Sequence, residues 1–329
     1  MNAARIVFIT GHCFGLAALQ GIIGSAAYAE GAIKVVSILG LHPRQALSTV
    51  GFADIIPFSR QLDLPAMTFD NIKSVHVERY LSSMPHDYLI VISLSQLVPP
   101  TILRLPAMNN DSHQLNDLTH GCIGMHPTIL PEGRGRAPIP WTIIKGLTVS
   151  GVTAFFLESD ADSGGIIDCV TYPISMDETA TSLFAKVEQA HSTLGSSLAH
   201  LCGVRQTACK HQDLNIGSVW PRRRPDDGWI DFARPAVELA SLIRALTKPY
   251  PGAFFAYLKG VIRVGEASIL PFADDEPVGK VLSVQEGSLI VKTGVDAIRL
   301  SQISSTGESE LPRVGSILFN SVKEIIIGE

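Results

Sequence analysis

The sequence predicts an α/β protein: a doubly wound, mostly parallel sheet followed by a smaller C-terminal β-rich domain. Three observations carry this. Over the first half of the chain, short apolar, β-branched runs alternate with helix-forming stretches, the order that builds right-handed βαβ crossovers. Past Phe254 the pattern changes to short β-rich runs separated by turn residues. The 329 residues are 46% hydrophobic and 17% charged, a composition that folds around a large core and is long enough for two domains.

Residues 5–10 (RIVFIT) form the first strand, buried because they are apolar and β-branched. Gly11-His12-Cys13-Phe14-Gly15 is a turn, and 16–28, rich in Ala, Leu and Ile, is a helix. Residues 33–40 are a second strand, 75–84 a helix and 89–93 a further strand, which makes the sheet Rossmann-like. The polar stretch 109–120 is a loop, and 121–126 is a short strand expected to run into the sheet edge. Residues 127–140 hold four prolines and two glycines and read as an ordered loop. A helix starts at 141–145, a strand occupies 153–157, and an acidic loop covers 158–165. Residues 177–201 are a long helix with Asp177 as its N-cap. Residues 221–228 have turn and linker chemistry, and 236–246 have apolar residues at helical spacing. The runs 261–264, 280–284, 289–293 and 297–300 suggest a small OB-like barrel with one helix. The expected division is a domain over 1–205, a linker over 206–228 and a β-rich domain over 229–329.

Composition removes several function classes. The net charge of -5 argues against a broadly basic nucleic-acid surface. No apolar run approaches the roughly 20 residues of a membrane span. The apolar start is broken by Gly11, His12, Gly15 and Gln20, which does not fit a signal peptide. Five cysteines without CxxC spacing read as reduced thiols of a cytoplasmic protein, and no cysteine/histidine metal spacing is present. Cys13 and Cys122 read as small buried residues rather than nucleophiles.

The chemistry-bearing residues lie in three successive runs. The first is Gly124-Met125-His126-Pro127-Thr128-Ile129-Leu130-Pro131-Glu132-Gly133-Arg134-Gly135-Arg136; then come Gly151-Val152-Thr153 and Asp162-Ser163-Gly164-Gly165-Ile166-Ile167. His126 ends a strand and Asp162 follows another, the end at which open α/β sheets place their sites. An imidazole there can polarise a carbonyl oxygen or relay a proton, and a partly buried carboxylate can shuttle protons through a water. Taken singly, His126 reads equally well as a satisfied loop histidine, and Asp162 as a turn-forming residue before Ser-Gly. A phosphate could sit at Gly11 on the amides of the following helix. Arg134 and Arg136 could meet a substrate phosphate or carboxylate, or fix the loop through carbonyl contacts. The run Arg222-Arg223-Arg224 reads first as a solvated linker paired with Asp226 and Asp227.

These runs resemble the formyltransferase family that uses N10-formyltetrahydrofolate, which shows His-Pro-Ser-Leu-Leu-Pro-x-x-Arg-Gly, then Gly-Val-Thr, then Asp-Thr-Gly-Asp-Ile. His126 and Asp162 are 36 residues apart, as the family's catalytic pair is. The resemblance covers Ile6 to Val204 and resumes at Arg222-Arg223-Arg224-Pro225-Asp226-Asp227-Gly228. It continues through Ile243-Arg244-Ala245 and Pro249-Tyr250-Pro251-Gly252-Ala253-Phe254. It implies catalysis by His126 and Asp162, with N10-formyltetrahydrofolate as co-substrate. It implies a pterin pocket lined by Leu94, Ser95, Leu97 and Val98, and by the backbone around Asp160. Thr128, Ile129, Leu130 and Pro131 would contact the folate, with Thr in place of the family's Ser. Gly11 and Arg134 are the acceptor-binding candidates read from the residues themselves.

The transferring members place Asn two residues before the catalytic His, where this chain has Gly124. Losing one such oxyanion donor typically costs about 2.7–4 kcal/mol in the transition state. Gln96, Asn109, Asn110 and His113 are candidate replacements, as is a water; alternatively, Gly124 merely permits close backbone approach. The function expected is formyl transfer to a small-molecule amine, foremost a nucleotide-linked amino sugar, with an amino acid or hydroxylated ornithine side chain also open. The motifs past Arg222 look more like those of nucleotide-sugar enzymes than of the methionyl-tRNA enzyme. Residues 217–329 carry 13 Lys and Arg against 14 Asp and Glu, which argues against tRNA. A formyl-folate hydrolase is the third reading, because hydrolysing branches also lack the Asn. No membrane partner is expected, and the β-rich tail could form a homodimer surface.

Overall fold

The computed structural model describes residues 2–106, 121–258, 260–306 and 310–318. The chain separates into two compact units. The first comprises 1–138, 149–173 and 185–221, and the second comprises 139–148, 174–184 and 222–329.

The first unit is built on seven strands: β1 (Ala4–Thr10), β2 (Ile33–Leu41), β3 (Ala66–Phe69), β4 (Tyr88–Ile92), β5 (Cys122–His126), β7 (Val149–Phe156) and β8 (Ile166–Pro173), with a two-residue β6 (Arg134–Gly135) outside the sheet, paired in parallel with a two-residue β9 (Val219–Trp220). Their order is β3-β2-β1-β4-β5-β7-β8. The pairs among β3, β2, β1, β4 and β5 are parallel, and β7 and β8 add antiparallel. This is the doubly wound sheet expected, with its switch point between β1 and β4. The strands are legible because both faces are covered: Ile6, Val7, Phe8 and Ile9 of β1 are all 0% exposed.

Three expectations are corrected here. β5 is interior, flanked by β4 and β7, not at the sheet edge. The edge on that side is β8, whose intermediate burial and mixed composition hide it from a reading of apolar runs. The helix expected over 16–28 is two, Cys13–Ile23 and Ala26–Ala29, because Gly24 closes the first and the Ser25 hydroxyl accepts Tyr28 N–H at 3.2 Å to start the second. The long helix runs Ala180–Gly203, so its N-cap position is Thr179 and not Asp177. Instead Thr179 and Ser182 exchange side chain-to-backbone hydrogen bonds, each of 3.1 Å, a reciprocal capping arrangement.

The second unit holds an antiparallel sheet ordered β10 (Ala253–Tyr257), β11 (Gly260–Leu270), β14 (Ala297–Thr306), β13 (Ser288–Lys292) and β12 (Val281–Gln285). The helix Ala236–Ala245 lays Leu239, Ala240 and Ile243 into the same core as Phe255, Ile262, Leu289 and Leu300. Among the described residues no helix is long and apolar enough to cross a membrane.

Candidate active site

His126 is the last residue of β5, and alternation along that strand puts its ring on the same face as position 124. The side chain is 8% exposed. Its Nε2 lies 2.8 Å from the carbonyl of Gly133. A carbonyl only accepts, so Nε2 carries a hydrogen and Nδ1 is the edge left for chemistry. Nδ1 faces Asp162 Oδ2 at 3.6 Å, an ion-pair separation rather than a hydrogen bond. Asp162 holds a left-handed backbone, φ 55°, and its Oδ2 accepts Gly135 N–H at 2.8 Å. The two groups far apart in sequence therefore converge, each aimed by the same short loop.

That loop is fastened from three sides. Thr153, opposite His126 in the β5–β7 register, donates its hydroxyl to Thr128 carbonyl at 2.7 Å and accepts Leu130 N–H at 3.2 Å. Gly151 leaves no room for a side chain, since a Cβ would lie 2.7 Å from Val170 carbonyl oxygen. Ser218 accepts Gly133 N–H at 3.0 Å, which fixes the peptide run that holds His126. Gln212 donates to the carbonyls of Asp162 and Gly164 at 2.9 and 2.7 Å. Sequence reading gave no role to Thr153, Gln212 or Ser218. Only Thr153 lay in a quoted motif; the other two fall in the expected linker and carry no local signal.

The arginines separate. Arg134 is 6% exposed, and its guanidinium donates to Gln212 Oε1 and to the carbonyls of Asp213 and Ile216 at 3.1–3.3 Å. Each of the three nitrogens makes a contact with the loop, which is the arrangement of the loop-fixing alternative. Arg136 is exposed, with one long contact of 3.5 Å to Ser95 carbonyl and no ion pair among the described residues.

At the turn where a phosphate was expected, beside Gly11, His12 Nδ1 accepts Phe14 N–H at 3.1 Å and Gly51 carbonyl accepts Cys13 N–H at 2.9 Å, so these two amides of the following helix already have partners. His12 lies in the turn after β1, and burial pushes its imidazole down to about 4. The Cys13 thiol is pushed up to about 12 by burial and a hydrogen bond to Glu188, and burial likewise pushes up Cys122, which fits neither as a nucleophile.

Among the residues expected at the folate, Leu94 and Val98 pack partly buried against the sheet core, Ser95 carbonyl meets Arg136, and Leu97 is 53% exposed. Thr128 is 2% exposed with its hydroxyl unpartnered. Ile129 is partly buried, Leu130 is 5% exposed, and Pro131 follows a cis bond. Asp160 is exposed, its carbonyl accepting Ser163 hydroxyl at 2.9 Å. Gln96 is not free to replace the missing Asn: its amide clamps Ile72 N–H and Asp70 carbonyl at 2.8 and 2.7 Å. Asn109, Asn110 and His113 lie outside the described residues.

Comparison with known proteins places the chain among formyl transferases. Residues 5–197 match the family model described as formyl transferase, and residues 222–313 match formyl transferase, C-terminal domain. A methionyl-tRNA formyltransferase of Alkaliphilus oremlandii is 25% identical over 268 residues, covering 81% of this chain and 82% of the relative. One from Agathobacter rectalis is 29% identical over 240 residues, 73% of each chain. Among solved structures, an N-formyltransferase from Helicobacter canadensis in complex with folinic acid and dTDP-3-aminofucose superposes with TM-score 0.64 at 14% identity, covering 92% of this chain and 100% of that one. A sugar 3N-formyl transferase, solved with dTDP and 5-N-formyl-THF, gives 0.61 at 16% identity, with 91% and 98% covered.

Proposed function

This chain belongs to the formyl transferase family, and from that premise we propose that it moves a formyl group from N10-formyltetrahydrofolate to the amine of a small molecule, foremost an amino sugar on a nucleotide carrier. The observation that carries the reading is the convergence of His126 and Asp162 at 3.6 Å, with the imidazole fixed on Gly133 carbonyl. We assign the chemistry to the domain expected over 1–205, with the five free cysteines fitting a reducing cytoplasm.

The residues present fit a folate. The buried hydroxyl of Thr128 has no protein partner and could hydrogen-bond a folate seated there, since buried polar groups are ordinarily satisfied. Leu94, Ser95, Leu97 and Val98 would line the pterin end, with the backbone at Asp160 and the run Thr128 to Pro131 completing the grip. The folate supplies the formyl group. His126 and Asp162 can hold one proton between Nδ1 and the carboxylate and pass it to or from the reacting nitrogen. Gly135 N–H keeps the carboxylate aimed while that proton moves. A protonated Nδ1 is also a donor for charge that builds on the formyl oxygen.

Arg136 supports a phosphate-bearing acceptor: it is an exposed guanidinium one residue from the amide that aims Asp162. Methionyl-tRNA is the second reading, favoured by the names of the curated relatives and opposed by the near-neutral charge of 217–329. The test is to supply formyl-tetrahydrofolate with nucleotide-linked amino sugars, with methionyl-tRNA, or with no acceptor. Formyl-sugar product is the expected result. Formylation of tRNA alone, or steady formate with no amine present, would overturn the proposal.

A further inference from the structure

Position 124 faces the same side of β5 as His126, and its side chain is missing. The space is not empty. A Cβ built there would lie 2.6 Å from Leu157 Cδ2, 3.2 Å from its Cγ and 3.4 Å from Phe155 Cε1. Phe155 is the register partner of Gly124, and Leu157 continues β7 by one residue, its N–H donating to Cys122 carbonyl at 2.9 Å. Leu157 packs against the apolar cluster of β1, β2 and β4. Glycine at 124 and leucine at 157 are thus a single packing arrangement, in which an aliphatic group covers the strand face that leads to the catalytic imidazole.

We propose that Leu157 is a specificity-determining residue: seated over Gly124, it closes the His126 face of β5 to water and so favours transfer to an amine over hydrolysis. This rests on the folate reading above. In either outcome the bond from the formyl carbon to N10 breaks and N10 takes a proton. With an amine, the new bond is C–N and the amine supplies that proton. With water, the new bond is C–O, one proton reaches N10 and a second leaves as formate ionises. The two differ only in which nucleophile reaches the carbon. An aliphatic wall that a water would have to displace selects against the smaller one, because a dry, apolar site admits water only where polar partners hold it.

The experiment has one arm without folate and one with it. In the unliganded protein, Gly124→Ala lowers the melting temperature by several degrees, and the loss shrinks when Leu157→Ala is present, because the two side chains compete for one space. With formyl-tetrahydrofolate and no amine, Leu157→Ala raises formate release about tenfold over wild type, and adding His126→Ala removes the gain. Leu157→Val, which removes one carbon, shows the same change at smaller size and serves if the alanine variant does not fold. Additive melting shifts, or unchanged formate release in both Leu157 variants, would overturn the inference. Binding of 5-formyl-tetrahydrofolate to wild type is measured alongside: its absence overturns the folate reading itself, and with it this inference, whereas binding with unchanged formate release overturns only the role of Leu157.

Discussion

His191 gives the most quantitative prediction. It lies on the helix Ala180–Gly203, is 0% exposed, and stacks on Phe14 with ring centroids 5.0 Å apart and planes within 17°. Its Nδ1 is 2.8 Å from Val187 carbonyl, and its Nε2 is buried with no partner. Burial pushes this imidazole down to about 3, with the positive charge that His12 and His126 can carry acting in the same direction. The folded protein therefore keeps His191 neutral while the unfolded chain protonates it below pH 6.5. Stability from this group is whole above 6.5 and falls as pH drops toward 3, because the unfolded state then binds more protons. Between pH 6.5 and 4.5 the loss is about 3 kcal/mol, two units at about 1.4 kcal/mol each. His191→Phe keeps a ring on Phe14. It removes one hydrogen bond, at a cost of about 1 kcal/mol, and an orphaned acceptor whose burial costs about 1–3 kcal/mol, so the variant is near neutral or slightly more stable at pH 7. Urea denaturation at pH 7.0 and 4.5, with both proteins followed by circular dichroism, measures the difference. His12 is common to both and cancels. The variant should lose about 3 kcal/mol less on acidification; parallel losses would refute the desolvation argument.

Four further substitutions address the site and its loop. His126→Ala and Asp162→Asn should each cut turnover by about 10²–10⁴-fold while 5-formyl-tetrahydrofolate still binds. The Asn can still accept Gly135 N–H, so near-normal turnover by Asp162→Asn would show that the carboxylate's charge and proton are dispensable. Arg134→Ala strips three hydrogen bonds from the loop 212–216 and should cost about 2–3 kcal/mol in urea denaturation. Arg136→Ala should shift stability by no more than about 0.5 kcal/mol and raise KM for a phosphate-bearing acceptor about tenfold, with KM for formyl-tetrahydrofolate unchanged. An unchanged acceptor KM would remove Arg136 from recognition.

What the sequence made legible was local or repeated. The strands buried on both faces announced themselves as apolar runs, and β1, β2 and β4 lie where those runs are. His126 and Asp162 were legible because one ends a strand and the other follows one, each inside a distinctive run. The interior place of β5 was not, because it depends on β7 and β8 returning antiparallel, and strand order leaves no mark on either partner. Gln212 and Ser218 were illegible for a similar reason: they act on the site from a segment of turn-like composition, across 50 and 85 residues of chain. His191 and Leu157 read as ordinary helix and strand positions until their neighbours are in place.

The two arginines show most clearly where pattern stops. Arg134 and Arg136 are two residues apart, so period-two alternation would put both on one face of a strand and give them one role. The chain does not stay extended. Gly135 has φ 104° and Ala137 φ 53°, both in the left-handed region, and β6 ends after two residues. Once alternation is broken there, Arg134 turns inward to the carbonyls of 213 and 216 while Arg136 is left in solvent beside Ser95. The same turn presents Gly135 N–H to Asp162, which is why the loop can aim a carboxylate and expose a cation within two residues. An Ala at 135 would place its Cβ 2.5 Å from Trp220 carbonyl oxygen on an unfavourable φ. Gly135→Ala should therefore disturb Asp162 and Arg136 together, lowering kcat and raising the acceptor KM in one step. A variant that moved only one of these would mean that the turn does not couple the two.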